Sequence, residues 1–181
     1  MDGDSNLTGL ACNVELKARL LSASQAHEVA RAWATAPVEQ QFQRDTYFCC
    51  PRGRLKIRQI DDQRGQLIWY QRADEAAARE SYYRLTEIAE ATLLLDALGE
   101  ALGVSGKVVK QRTIYWYENV RIHVDEVESL GSFLEFEAVI ASDRDRREAG
   151  DKLERLLAAF EVGANDLLTE SYGDMVEAEE S

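Results

Sequence analysis

Arg52-Gly53-Arg54-Leu55-Lys56-Ile57-Arg58 carries a basic residue at every even position and glycine or a hydrocarbon side chain at every odd one. Successive side chains of a β-strand point to opposite faces, so all four cations would project from one side. The same period of two recurs in Glu15-Leu16-Lys17-Ala18-Arg19, Lys110-Gln111-Arg112, Arg121-Ile122-His123-Val124-Asp125 and Glu135-Phe136-Glu137. Charged side chains of both signs occupy these faces. Five such strands predict a sheet with one charged face and one apolar face.

Around them the pattern predicts eight strands, at about residues 13–20, 42–50, 54–61, 66–72, 81–86, 107–117, 120–126 and 132–141. Three helices are interleaved. Ser22-Ala23-Ser24-Gln25 offers a capping-box start, followed by the stripe Ala26, Val29, Ala30 and Trp33 and a stop at Pro37. A second helix is expected over Glu87–Leu102, with Ile88, Ala91, Leu94, Leu95, Leu98 and Leu102 on one face and Gly103 as its stop. A third covers Asp143–Glu161, and a short closing helix is expected within Asn165–Met175. Each amphipathic helix must lay its stripe on something apolar. The hydrocarbon face of the sheet is the available partner, so the charged face points away from the helices, and closure of the sheet puts it inside. The expected class is α+β: an eight-stranded antiparallel β-tunnel, or barrel, with helices packed on the outside.

The chain has 181 residues, enough for one domain with a sizeable core. No apolar run is long enough to cross a bilayer, and Met1-Asp2-Gly3-Asp4-Ser5 lacks the basic and apolar regions of a signal peptide. Three cysteines, two of them adjacent (Cys49, Cys50), offer no disulfide framework and suit a reducing compartment. A cytoplasmic location and no membrane partner are expected. The formal charge of −12 disfavours a general nucleic-acid binder. A local cationic face on an acidic protein can nonetheless focus a small polyanion. The expected organisation is a leader at 1–12, a single domain at 13–175 and an acidic tail at 176–181.

Lys17, Arg19, Arg54, Lys56, Arg58, Arg72, Lys110, Arg112 and Arg121 are too many cations for one carboxylate ligand. They suit a chain of phosphates, each accepting several charge-assisted bonds. Arg52 and Arg54 also fit the entry turn of their strand. Glu15, Asp125, Glu135 and Glu137 share the same faces. Beside a polyphosphate, such hard oxygen donors hold Mg²⁺ or Mn²⁺. Any one acid read alone is a cross-strand neutraliser of a neighbouring cation; the set as a whole reads as a site.

Asn13-Val14-Glu15-Leu16-Lys17, Asp45-Thr46-Tyr47-Phe48, Gly53–Arg58, Lys110–Tyr115, Arg121–Asp125 and Leu130–Glu137 follow one another in order. Together, over roughly Asn13–Tyr172, they resemble the CYTH superfamily, the triphosphate tunnel metalloenzymes. The block from Arg121 to Glu137 looks most like that superfamily's class IV adenylyl cyclases. The resemblance implies an eight-stranded tunnel open at both ends. It implies Glu15 and Glu137 as metal ligands with Glu135 as their partner. It also implies that Lys17, Lys56, Arg58, Lys110 and Arg112 grip a triphosphate, joined by Arg72 and Arg121. Arg19 shares their strand face, and Asp125 would support the metal or an adjacent base. Lys17, Asp125 and Arg112 are the catalytic candidates. A homodimer is a family expectation. Asn13 departs from the family's Glu-x-Glu-x-Lys signature, and a neutral amide cannot supply a first carboxylate to a second metal ion.

Two reactions fit such a tunnel. In a cyclase, the ATP 3′-hydroxyl attacks the α-phosphorus and pyrophosphate leaves. In a triphosphatase acting on tripolyphosphate, thiamine triphosphate or a nucleotide, water attacks the terminal phosphorus. Both need metal and cations to stabilise developing charge. A non-catalytic polyphosphate-binding module is a third reading, with Asn13 as its main support. Truncating Lys56 or Arg112 is expected to remove activity and leave the fold intact.

Other residues invite simpler accounts. His27 fits a surface edge, and two histidines with Cys12 make no zinc site. Of Cys49 and Cys50, one is expected in the core and one exposed. Trp33 and Trp69 read as core, Trp116 faces the tunnel mouth by parity, and Tyr172 lies in an element that could plug one end.

Overall fold

The computed structural model describes residues 10–61 and 63–179. Eight strands run as β1 (Ala11–Arg19), β2 (Glu39–Phe48), β3 (Arg54–Gln59), β4 (Gly65–Arg72), β5 (Arg79–Ile88), β6 (Val104–Tyr117), β7 (Val120–Val127) and β8 (Gly131–Ile140). They close into an antiparallel barrel in the order β1-β5-β4-β3-β2-β6-β7-β8. Two meanders, β2 to β5 and β6 to β8, are joined where β2 pairs with β6. The first strand completes the circle between β5 and β8. The expected α+β barrel is the observed fold.

Helix α1 (Ala23–Trp33) starts at Ser22, whose side chain accepts the Gln25 N–H. Helix α3 (Asp143–Ala159) is capped in the same way by Ser142 onto Asp145 N–H, with Asp143 and Asp145 in its first turn, where acids suit the helix dipole. Both lie on the apolar outer face of β1 and β6–β8. There Ala26, Ala30, Leu153 and Leu156 meet Leu16, Ile122, Val124, Leu134 and Phe136. Trp33 packs edge-on against Tyr117, as its stripe predicted for core. Helix α2 (Ala91–Leu102) is shorter than expected, because Glu87 and Ile88 continue β5 and pair with Gln66 and Gly65. It buries only Ala91, and Leu93 stays 64% exposed.

The last helix, α4 (Tyr172–Glu179), begins later than the sequence suggested, after a 3-10 turn at Ala164–Asp166. Its first turn seats at one end of the barrel. A Cβ on Gly173 would come within 3.0–3.1 Å of the Tyr47 ring, so only glycine allows so close a seat. Tyr172 packs there with Tyr47, Val108, Val127, Leu130 and Phe133. One end of the tunnel is therefore closed by an apolar cluster.

Several boundaries differ from expectation. Gly53 takes φ 66°, and a Cβ there would lie 2.5 Å from the Tyr70 carbonyl oxygen. This left-handed turn ends the alternation, so Arg52 is exposed outside β3 while Arg54 opens it. Strand β2 stops at Phe48, which leaves Cys49 exposed and Cys50 half-buried rather than one of them in the core. Residues 1–9 of the expected leader and 180–181 of the expected tail lie outside the described residues. Among those described, no helix is long and apolar enough to cross a membrane.

Candidate active site

Inward-facing positions are set by strand parity. On β1 they are Asn13, Glu15 and Lys17; on β2, Gln41, Gln43, Asp45 and Tyr47; on β3, Lys56 and Arg58; on β4, Gln66, Ile68, Tyr70 and Arg72. On β6 they are Lys110, Arg112 and Ile114; on β7, Arg121, His123 and Asp125; on β8, Glu135 and Glu137. Most of these line one cavity of about 290 Å³, together with Ser81, Tyr83 and Leu85 of β5 and Tyr172 of α4. Seven of the predicted cations (Lys17, Lys56, Arg58, Arg72, Lys110, Arg112 and Arg121) and all three predicted metal-site acids face it. An acidic protein thus encloses a lumen with excess positive charge, the condition for focusing a polyanion.

Two carboxylates lie behind the cations. Asp125 is fully buried; its oxygens meet Arg112 Nε and Nη2 at 2.7 and 2.6 Å and Lys110 Nζ at 3.3 Å, and the Tyr172 hydroxyl donates to it at 2.9 Å. Asp45 binds Lys56 Nζ at 2.6 Å and the Arg58 guanidinium at 2.8 and 2.9 Å. Burial alone would raise both carboxyls. Arg112 and Lys110 instead hold Asp125 low, and Arg58 and Lys56 hold Asp45 well below the usual range. Asp125, a catalytic candidate in the sequence, has no exposed surface and does not line the cavity; it is the bonding partner of Arg112 and Lys110. Asp45 plays the same part for Lys56 and Arg58 on β3. Asp45 shares the inward parity of Gln43 and Tyr47, which the sequence shows without revealing this role.

The remaining acids reach the lumen. Glu15 pairs with Arg72 at 2.9 Å, Glu135 with Arg112 at 3.0 Å and Glu137 with Arg121 at 2.9 Å. Glu15 and Glu137 stand directly opposite across the β1–β8 pair. Burial raises the Glu15 carboxyl, helped by the charge of Glu135; burial likewise raises Glu137, with Glu135 and Glu15 adding to it against Arg121. Burial opposes ionisation of Glu135 too, but Arg112 and Lys17 hold it well below its ordinary value. The Asn13 amide donates to Glu137 Oε1, and its own Oδ1 is buried without a partner among the described residues.

This donor set can be tested against a divalent cation. Among the described residues, no three His, Cys, Asp or Glu side chains converge on one point. Mg²⁺ does not require that, since it is held by one or two carboxylates and completes its shell with phosphate oxygens and water. Glu15 and Glu137 are the under-compensated pair, and they fit.

Lys17 rests its ammonium on the Tyr172 ring, 3.6 Å from the centroid. Burial lowers its pKa to about 8, and burial together with Arg112 lowers that of Lys110 to about 7. Arg19 does not line the cavity. It is exposed beyond the closed end, donating to the Leu130 carbonyl at 3.1 Å and lying over Phe133, apart from the cations expected to join it in gripping phosphate. Arg19→Ala should leave kcat/KM within about twofold of the parent, and a tenfold loss in a steady-state assay would return Arg19 to the site. Arg54 is tied to Asp174 of α4 at 2.9 Å and to Asp74. Arg79, which precedes the strand expected at 81–86 and so takes no inward parity from the sequence, is buried and donates to the Leu168 carbonyl. Trp116 donates to Glu39 at the opposite end of the lumen from α4. His27 bonds the Tyr115 hydroxyl on the outside.

A family model described as the CYTH domain matches residues 11–172. The chain belongs to the CYTH domain family. No curated protein matches the chain. Solved structures do. A conserved hypothetical protein from Pyrococcus furiosus superposes with a TM-score of 0.79 at 22% identity, covering 91% of this chain and 99% of that one. A candidate adenylate cyclase from Vibrio parahaemolyticus gives 0.69 at 19% identity, with coverage of 90% and 96%. A candidate adenylyl cyclase from Hippeastrum, described as having dominant triphosphatase activity, gives 0.61 at 14% identity, with coverage of 93% and 96%. At these identities the likeness establishes the CYTH tunnel fold.

Proposed function

We propose that this CYTH protein is a metal-dependent enzyme of the class IV adenylyl cyclase type, converting ATP to cyclic AMP and pyrophosphate. The polarity of the tunnel supports this reading. Its α4 end is closed by Tyr172 and Phe133 against a layer of Lys17, Lys110 and Arg112. Glu137 lies four residues along β8 from Phe133, roughly 13 Å toward the other end. An organic group too large for the closed end would leave the terminal phosphate deep among the cations and the α-phosphate beside the acids. In that pose the 3′-oxygen attacks the α-phosphorus, the bond to the bridging oxygen breaks, and the hydroxyl proton is released. Lys17, Lys56, Arg58, Lys110 and Arg112 neutralise the departing pyrophosphate, while Arg121 faces the transferring group. Glu15 and Glu137 would hold the Mg²⁺ or Mn²⁺, with Glu135 beside them, and the cation would supply charge stabilisation at the transferring phosphate.

Incubating the protein with ATP, tripolyphosphate and thiamine triphosphate, each with Mg²⁺ or Mn²⁺, tests the reading by chromatography of the products. Cyclic AMP and pyrophosphate from ATP are expected. Orthophosphate instead would support the triphosphatase, which the cations along the whole lumen also suit. Binding without turnover would support a non-catalytic module.

Lys110 also makes the reaction pH-dependent. It is faced by Arg112 on β6, Asp125 on β7, Asp45 on β2, Arg58 on β3 and the Tyr172 ring on α4. Its pKa of about 7 is below that of a free lysine, so the unfolded chain binds more protons from about pH 7 to about pH 10, and its share of the free protein's stability rises across that window. Triphosphate binding requires the charged form. Hence kcat/KM, which reports the free enzyme, should fall as pH rises above about 7. Titration calorimetry at pH 7.5 in two buffers of different ionisation enthalpy should detect proton uptake on binding. Proton release, or a flat profile to pH 9, would contradict this role.

A further inference from the structure

His123 is left over from this account. It sits on β7 directly across from Glu135, and its Nε2 lies 3.8 Å from Glu137 Oε2. The residue is 2% exposed, lines the cavity, and has no hydrogen-bond partner at either ring nitrogen among the described residues. Buried polar atoms are rarely left unpaired, because the desolvation cost of about 1–3 kcal/mol is then uncompensated. A positively charged imidazole would be badly placed beside Arg112 and Arg121. A neutral one offers a nitrogen lone pair next to two carboxylates, and neutral imidazole is a common metal ligand.

We infer that His123 supplies a nitrogen ligand to the divalent cation held at Glu137, with triphosphate oxygens and water completing the shell. The inference rests on the tunnel holding a divalent cation, and it does not depend on whether the reaction is cyclisation or hydrolysis. It has a selectivity consequence. Imidazole suits transition metals, whereas carboxylate, phosphate and water suit Mg²⁺ equally well. The site should therefore favour Mn²⁺ over Mg²⁺ by more than an all-oxygen site would, and that preference belongs to His123.

Electron spin-echo spectroscopy of Mn²⁺ bound to the full chain tests this. The probe is Mn²⁺ with a methylene-bridged tripolyphosphate, which contains no nitrogen and resists hydrolysis. The expected result is ¹⁴N modulation from a directly bound imidazole, replaced by a ¹⁵N signature when histidine alone is ¹⁵N-labelled. His123→Gln should abolish the modulation and weaken Mn²⁺ binding by at least about tenfold, with a smaller effect on Mg²⁺. The other histidine, His27, is bonded to Tyr115, and His27→Gln should leave the signal unchanged. The labelled parent protein keeps the test decisive even if His123→Gln folds poorly. Tight Mn²⁺ binding without nitrogen modulation would overturn the assignment while leaving the metal site standing. Failure to bind Mn²⁺ at all would overturn both. Weaker triphosphate binding in His123→Gln with no nitrogen coupling in the parent would make His123 a phosphate contact instead.

Discussion

Arg112→Ala is expected to lower turnover by about 10²- to 10³-fold and to destabilise the protein by about 3–5 kcal/mol. The first effect follows from its place in the cation layer. The second departs from the expectation drawn from the sequence, that truncating Arg112 leaves the fold intact. In the structure Arg112 is the bidentate partner of Asp125 and also reaches Glu135. Removing it leaves the fully buried Asp125 with only Lys110, at 3.3 Å, and leaves Glu135 with the charge of Lys17. Arg112→Lys should rescue little, because a point charge cannot satisfy both acids in that fork geometry. Lys56→Ala should cost less stability, since Asp45 keeps both bonds to Arg58. Urea denaturation with a steady-state assay separates the effects. Equal, small stability losses for Arg112→Ala and Lys56→Ala would mean that Asp125 does not depend on its partner.

Glu137→Gln should reduce metal affinity or turnover at least about a hundredfold with no loss of stability. The amide is isosteric: its oxygen can stay beside Arg121 while its NH2 donates to Asn13 Oδ1 once the Asn13 amide turns over, so the wall keeps its shape. It also removes a charge that burial and the neighbouring acids Glu135 and Glu15 oppose. The variant's thermal midpoint should therefore equal or exceed that of the parent, while its activity no longer responds to Mg²⁺ or Mn²⁺. An unchanged metal titration would take Glu137 out of the metal site.

Legibility in the sequence followed charge. Period-two alternation identified β1, β3, β6, β7 and β8 and the face each turns inward, because a strand fixes side-chain direction whatever its neighbours do. Alternation cannot say how far along the barrel a residue sits, and Arg19 shares the parity of Lys17 yet lies past the closed end. Nor can it distinguish a cation that meets the ligand from an acid that holds the cation. Asp125 has the lumen's parity and lies beneath its surface. Gln41 and Gln43 went unremarked because an uncharged amide on a polar strand looks like any wet position. Local pattern also misjudged residues 87–90, where the leucine stripe of α2 extends back over a strand end held by Gly65 across the sheet. The start of α4 depends on Gly173 meeting Tyr47, a contact between distant segments.

Strand β1 enters the circle last in the topological sense, slotting between β5 and β8. Asn13 and Glu137, in hydrogen-bond contact, are 124 residues apart in the chain. Joining such distant segments carries a loop-closure cost and slows folding relative to local pairing. The seam is also where Glu15 and Glu137 oppose each other, so the bare join is weakened by its own charge. A cation and a triphosphate bound there would add to the native state what they withhold from the open sheet. The substrate is then a clasp: the molecule on which the enzyme acts also fastens the barrel that encloses it.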